Sequence, residues 1–212
     1  NTDWSWSPLI CDLDNDGWKD IYITNGIKRD LRNNDFQKSI AKYASKDIIQ
    51  HFKELQAQMP SVPIDNYVYQ NNQDLTFNKK ESDWGLNYKG FSNGSAYADF
   101  DNDGDLDLVV NNMDAEALIF ENTTESTNFL RVKLNGKGLN TWGIGARITL
   151  ITGDQMQHNI LTTNHGFLSS SEPIAHFGLG NISKVDSLIV EWPNFKQSVY
   201  VNPKINELLT IT

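Results

Sequence analysis

One nine-residue pattern, D-x-D-N-D-G-x-x-D, occurs twice in this chain of 212 residues and constrains its fold more than any other feature. The first copy is Asp12-Leu13-Asp14-Asn15-Asp16-Gly17-Trp18-Lys19-Asp20, and the second is Asp99-Phe100-Asp101-Asn102-Asp103-Gly104-Asp105-Leu106-Asp107. Carboxylates this close repel one another, and a hard divalent cation relieves that cost. Oxygen donors at alternate positions suit calcium, whereas magnesium keeps several waters and demands stricter octahedral geometry. The first, third and fifth side chains converge on one point, and the glycine at the sixth position allows the sharp turn. The seventh residue, Trp18 or Asp105, offers its main-chain carbonyl, and the ninth closes the shell. The pattern therefore predicts two calcium sites. Asp12, Asp14, Asp16, Trp18 and Asp20 form the first; Asp99, Asp101, Asp103, Asp105 and Asp107 form the second. The plain alternative is a pair of acidic turns without metal. The ions are expected to staple the fold, because no nucleophile and base accompany the loops at catalytic spacing.

An EF-hand shares the D-x-D-x-D-G opening but needs a bidentate Glu at the twelfth position and a following helix. Here the twelfth positions are Ile23 and Val110. The loops lead into Ile21-Tyr22-Ile23-Thr24 and Leu108-Val109-Val110, whose β-branched and aromatic content reads as strand.

The loops also measure a repeat. They are offset by 87 residues, while Tyr67-Val68-Tyr69-Gln70-Asn71 matches Leu118-Ile119-Phe120-Glu121-Asn122 at an offset of 51. The difference, 36 residues, is extra material in the first copy. Residues 34–59 carry Phe36, Ile40, Tyr43, Ala44, Ile48, Ile49, Phe52, Leu55 and Met59 at helical spacing. Asn34 or Asp35 is the expected cap, Pro60 ends the helix, and a break near Ser45 is allowed. This insert either packs back on its own domain or docks a partner.

Without the insert the repeat contains about four short strands, near 8–11, 21–24, 67–70 and 75–77. That is the size of a propeller blade. The second copy supplies strands near 95–98, 108–110 and 118–120. Two blades cannot close a ring, so this reading expects either missing blades, with an export signal, upstream of Asn1-Thr2-Asp3, or partner chains that cover the unpaired sheet edges. Residues 4–122 resemble FG-GAP/VCBS repeats, the calcium-loop blades also found in integrin α-chain propellers. The resemblance implies a β-propeller, metal at the aspartates named above, and secretion or display on the cell surface.

Residues 128–212 read as a small all-β sandwich or barrel. Seven strands are expected, near 129–134, 146–152, 157–162, 174–177, 187–192, 198–201 and 207–211, separated by Gly-, Asn- and Ser-rich turns. Gly143-Ile144-Gly145-Ala146-Arg147, Gly166-Phe167-Leu168-Ser169-Ser170, His176-Phe177-Gly178-Leu179-Gly180 and Val190-Glu191-Trp192-Pro193 resemble the ASPIC/UnbV domain, in order and across nearly the whole segment. The overall expectation is a mainly β chain with two domains: blades with a helical insert over 1–124, and an ASPIC/UnbV-like β domain over 128–212. The short polar join, 122–127, puts the two in contact. This combination is similar to large secreted proteins of Bacteroidetes and to an animal cartilage matrix protein. For the bacterial proteins the resemblance suggests surface assemblies for nutrient uptake.

Charge narrows the function. The net charge is −9, yet residues 128–212 hold seven Lys/Arg and five Asp/Glu, leaving the excess on the loop-bearing half. An acidic chain with no basic stripe is a poor nucleic-acid binder. Cys11 is the only cysteine and reads as a small core residue. No segment is long and apolar enough to span a membrane as a helix. His176, between apolar neighbours, reads as a hydrogen-bonded core or edge residue. His51, His158 and His165 lack metal-ligand spacing, and Ser169-Ser170-Ser171 reads as turn chemistry.

The expectation is a non-enzymatic, calcium-stabilised extracellular or cell-surface binding or scaffold module. Its partners would be a protein or glycan ligand, outer-membrane complex subunits or further blades. Trp18, Trp84 and Trp142 are candidates to stack on sugars. The alternatives are an enzyme with its site on a propeller face or in blades outside this chain, and an RNA binder, which the charge disfavours.

Overall fold

The computed structural model describes residues 4–43, 45–124 and 127–212. Asn1-Thr2-Asp3, Ala44 of the insert, and Glu125 and Ser126 of the join lie outside the described residues.

Each aspartate loop is the turn of a β-hairpin. The first joins β1 (Ser5–Cys11) to β2 (Asp20–Asn25), and these form a four-stranded sheet with β4 (Tyr67–Asn71) and β5 (Phe77–Lys79), in the order β1-β2-β4-β5. Three short helices intervene, α1 (Asn34–Ile40), α2 (Ser45–Gln50) and α3 (Phe52–Gln58). A small pairing of β3 (Ile64–Asp65) with β6 (Lys89–Gly90) follows. The second loop joins β7 (Ser92–Ala98) to β8 (Asp107–Asn112), which pairs onward with β9 (Leu118–Phe120).

The two hairpins are copies in register as well as in sequence. In the first, pairing runs Ser5↔Asn25 and then, across a bulge, Pro8↔Ile23. In the second it runs Ser92↔Asn112 and then, across a bulge, Ser95↔Val110. The serine hydroxyl donates to the asparagine Oδ1 in both, at 2.8 Å from Ser5 to Asn25 and 2.7 Å from Ser92 to Asn112. A bulge at the same place twists both strands alike. The fourth strand of the first sheet has no counterpart in the second, which ends at β9.

Alternation places one face of each sheet in a common core. Leu9, Cys11, Tyr22 and Val68 from the first sheet and Leu108 and Val110 from the second are all nearly inaccessible, joined by Leu13 and Leu106 from the loops. Side chains of this size contribute about 1.5–3 kcal/mol each when fully buried. Cys11 therefore has the core role its neighbours suggest.

The insert is helical but not one helix. It breaks after Ile40 and again at His51. Asn33 caps α1 in place of Asn34 or Asp35, because its Oδ1 reaches the backbone N–H groups of Asp35 and Phe36 at 3.0 and 3.1 Å. The breaks also split the apolar stripe. Phe36 and Leu55 are buried, while Ile49 and Phe52 are exposed.

The remaining chain forms two sheets around a second core. One has the order β13 (Ile174–Gly180), β10 (Asn128–Leu134), β16 (Leu208–Ile211), with β10 and β16 parallel. The other is antiparallel, β12 (Gln155–Ile160), β11 (Arg147–Thr152), β14 (Ser187–Glu191), β15 (Gln197–Val201). All seven expected strands are present, with ends shifted by up to three residues. No closed barrel is present among the described residues; two layers share one core, built from Leu130, Val132, Leu134, Ile148, Leu150, Phe177 and Leu188 among others. Since Leu130, Val132 and Leu134 point inward, period two sends Phe129, Arg131 and Lys133 to the opposite face of β10. The same logic turns His176 and Gly178 outward on β13. That outer face meets the aspartate loops.

Candidate metal loops and the face that clasps them

The two loops share one hydrogen-bond frame. Position one accepts from the N–H of the glycine at position six: Gly17 to Asp12 at 2.9 Å, Gly104 to Asp99 at 3.2 Å. Position three accepts from position five: Asp16 to Asp14 at 3.3 Å, Asp103 to Asp101 at 3.2 Å. Position five accepts from position seven: Trp18 to Asp16 at 2.8 Å, Asp105 to Asp103 at 3.1 Å. The asparagine at position four is left-handed in both, φ 57° at Asn15 and 66° at Asn102, and the glycine has φ 94° at Gly17 and 100° at Gly104. Those backbone angles explain why Asn and Gly occupy these positions.

Position nine is the frame's keystone. Asp20 accepts from the N–H of Leu13 and of Asn71, both at 2.9 Å. Asp107 accepts from Phe100 at 2.7 Å and Asn122 at 2.8 Å. Asn71 and Asn122 then donate through Nδ2 to the carbonyl at position eight, Lys19 at 3.1 Å and Leu106 at 3.2 Å. These asparagines brace the loops and were absent from the expected site. Their signal was present, since they end the segments that align at the 51-residue offset.

Carboxylates gather in both loops, though not identically. Ligand oxygens of Asp12, Asp14 and Asp16 lie within 4.8 Å of one another in loop 1, and those of Asp99, Asp101 and Asp107 do so in loop 2. Asp20 and Asp103 stay in their loops' hydrogen-bond frames, and Trp18 is partly exposed. The buried Oδ1 atoms of Asp99 and Asp105 have no hydrogen-bond partner in the protein. Burial pushes Asp12 up to about 7, reinforced by Asp16 and Asp14 and opposed by Lys19. Burial also lifts Asp20 to about 7, against its two backbone donors, and Asp105 to about 7, with repulsion from Asp103 adding to it. Asp14 and Asp99 are raised for the same first reason. Charged carboxylates are thus penalised here, and an orphaned oxygen is an acceptor without a donor; both fit a hard cation.

Around this frame the loops differ. Loop 1 is held through Asn15. Its Oδ1 faces Nε2 of His176 at 2.6 Å, its Nδ2 donates to the Gly104 carbonyl at 2.9 Å, and its own carbonyl accepts from the Gly180 N–H at 2.7 Å. A Cβ at Gly178 would lie 2.1 Å from Asp12 Oδ2 and 2.6 Å from the Asn15 Cα, so only glycine lets the strand approach this loop. His176 is buried and hydrogen-bonded, as its neighbours suggest; burial, then Lys19 and Arg131, bring it down to about 3. Loop 2 is held by charge and an aromatic ring. Arg131 donates to Asp99 Oδ2 at 2.7 Å and to Glu172 at 2.5 Å, with the guanidinium buried. Phe129 covers Gly104.

The other expected positions are scattered. Trp84 packs against the first core, whereas Trp142 is exposed on the C-terminal sheets' side. Ser169 donates to the Phe167 carbonyl, and Ser170 bridges Asn164, consistent with turn chemistry. No helix among the described residues is long and apolar enough to cross a membrane.

Comparison with known proteins agrees with the C-terminal architecture. The chain is 35% identical over 130 residues to cartilage acidic protein 1 of Xenopus tropicalis, covering 58% of this chain and 20% of that protein. It is 34% identical over 116 residues to the Mus musculus protein of the same name, covering 52% and 18%. The chain thus spans about a fifth of the length of the curated relatives it matches. Residues 136–212, from the loop after β10 to the end of β16, match the family described as ASPIC and UnbV.

Proposed function

We propose that this chain is a non-enzymatic, calcium-stabilised extracellular binding or scaffold module. In this reading residues 1–124 are FG-GAP/VCBS-type propeller blades with a helical insert, and residues 128–212 are an ASPIC/UnbV-type domain docked on their calcium loops. One observation carries it. Two loops separated by 87 residues keep the same hydrogen-bond frame around clustered carboxylates, of which Asp12, Asp99 and Asp107 are buried; among the described residues no cation neutralises the loop 1 cluster at contact distance, and only Arg131 does so in loop 2. Asp12, Asp14 and Asp16 would hold one cation, and Asp99, Asp101 and Asp107 the other. The ion supplies positive charge; the chain's own residues hold the turns and hand them to β10 and β13.

Extracellular calcium modules bind at about 10⁻⁴–10⁻³ M, which fills such sites outside a cell. The relatives' printed name, cartilage acidic protein, supports that location. The family resemblance extends the reading to a surface assembly, including one for nutrient uptake, with a protein or glycan as ligand. Calorimetric titration of the chelator-treated chain tests it. Two calcium ions per chain are expected, with a rise in melting temperature. A flat titration and an unchanged melt would remove the calcium reading.

A further inference from the structure

A second feature of the loop 1 interface is not used by a cation. A groove of about 280 Å³ runs between loop 1 and the C-terminal sheets, lined by Lys19, Tyr97, His158, His165 and His176 with Cys11 at its base. Three of the chain's four histidines face this one space. Two exposed isoleucines, Ile10 and Ile160, also line it.

The polar groups are complementary to a particular chemistry. Lys19 has no carboxylate within 4.0 Å among the described residues; its ammonium donates only to the His176 carbonyl, at 3.5 Å. It stands at position eight of its loop, where loop 2 carries the apolar Leu106. His176 faces an acceptor through Nε2, because the Asn15 amide donates its own Nδ2 to Gly104. Nε2 therefore carries the proton. Nδ1 is a lone pair, buried and without a partner in the protein. The Tyr97 hydroxyl lies 3.4 Å from His165 Nε2 and adds a second donor and acceptor.

A metal does not fit these groups. The groups of three or more potential ligands found among the described residues are the two aspartate clusters, and no histidine or cysteine belongs to either. Covalent chemistry does not fit either, because burial holds the Cys11 thiol far above its ordinary range and keeps it protonated.

We infer that this groove binds an acidic sugar, a hydroxylated ring bearing a carboxylate. The carboxylate pairs with Lys19, and a ring hydroxyl exchanges hydrogen bonds with Tyr97 and His165. Ile10 and Ile160 cover the apolar C–H face of the ring. The volume lies at the lower end for small-molecule sites, which suits one ring. The same chemistry is offered by a free uronic acid and by a uronate unit of a polysaccharide. The inference rests on the binding-module reading but not on calcium.

The test titrates the full chain, in calcium buffer, with D-glucuronate, D-glucose, cyclohexanecarboxylate and a short oligouronate, followed by NMR and calorimetry. Glucuronate should bind, with glucose and cyclohexanecarboxylate each at least about tenfold weaker, since each lacks one half of the recognition. Lys19→Met should weaken glucuronate about tenfold, and Tyr97→Phe should weaken it severalfold with the ring still in place. A tighter oligouronate assigns the groove to a glycan chain, and equal affinity assigns it to the free acid; both support the site. Equal binding of glucuronate and glucose, no binding, or an unaffected Lys19→Met would overturn it. Lost sugar binding with two calcium ions intact sinks this inference alone. Intact sugar binding without calcium uptake sinks only the calcium reading.

Discussion

Loop 1 and loop 2 are one structure put to two uses. Inside the nine residues they share the same donors, acceptors and left-handed positions. Outside, loop 1 is gripped by neutral hydrogen bonds through Asn15 and by close approach at Gly178, and loop 2 by the buried charge of Arg131 and the ring of Phe129. A duplicated motif keeps what its own geometry needs and diverges where each copy meets a different part of β10 and β13. The lesson is that the inner frame follows from the loop's own backbone geometry, while the partner strands write the periphery.

Removing the cations tests the shared part and should have the largest effect. With calcium about thirtyfold above its dissociation constant, each loop gains about 2 kcal/mol by mass action, so chelation at neutral pH should cost about 4 kcal/mol in denaturant unfolding. The pH dependence has a definite sign. Asp12, Asp20 and Asp105 titrate near 7 in the metal-free fold against an ordinary carboxylate value of 3.8. The metal-free folded state thus holds more protons than the unfolded chain between those values. Its stability is greatest at the acid end and falls as pH rises from about 4 to about 7. Calcium competes with those protons, so the loaded protein should gain over the same window. Parallel profiles with and without calcium would break the assignment for both loops together.

The next experiments separate the copies. Arg131→Met strips the buried Asp99 and Glu172 of their guanidinium and should cost about 3 kcal/mol in chelator. It should cost markedly less in calcium, where an ion in loop 2 still offsets Asp99. A cost independent of calcium would show that Arg131 and the ion do not share Asp99. Gly178→Ala drives a methyl group against Asp12 and the Asn15 backbone and should cost about 2 kcal/mol by overpacking. Calorimetry should then show one of two calcium sites weakened. Equal weakening of both would mean that the loops respond as a unit.

Much of this was legible in the chain, for physical reasons. Each loop announces itself because every position has a local backbone role, from carboxylate to left-handed Asn to glycine. The strands of residues 128–212 show because alternation is strong when one face is buried and the other is not. The helical insert shows as periodicity and allows the break near Ser45, but the second break at His51 and the choice of Asn33 as cap do not show in the pattern. Least visible was the clasp. Arg131 and His176 occupy outward positions on strands, 32 residues from Asp99 and 161 from Asn15 respectively, and no local pattern pairs them with those partners. Only the glycine at 178 hinted at a close approach, without naming what approaches.

The smallest effect distinguishes the copies most cleanly, because it uses one residue type at one loop position. Asn15 is 2% exposed and ties His176, Gly104 and Gly180 to loop 1, whereas Asn102 is exposed. Asn15→Ala strands the His176 Nε2–H and the Gly104 carbonyl and should cost about 1–2 kcal/mol. Asn102→Ala loses little beyond its tolerance of the left-handed backbone and should stay within about 0.5 kcal/mol. The common penalty for alanine at φ near 60° cancels in the comparison. The difference between the two variants therefore reports the clasp itself, read as the gap between their denaturant midpoints at fixed calcium. Equal midpoints would mean that Asn15's bonds to His176 and Gly104 add nothing beyond what the loop frame already provides.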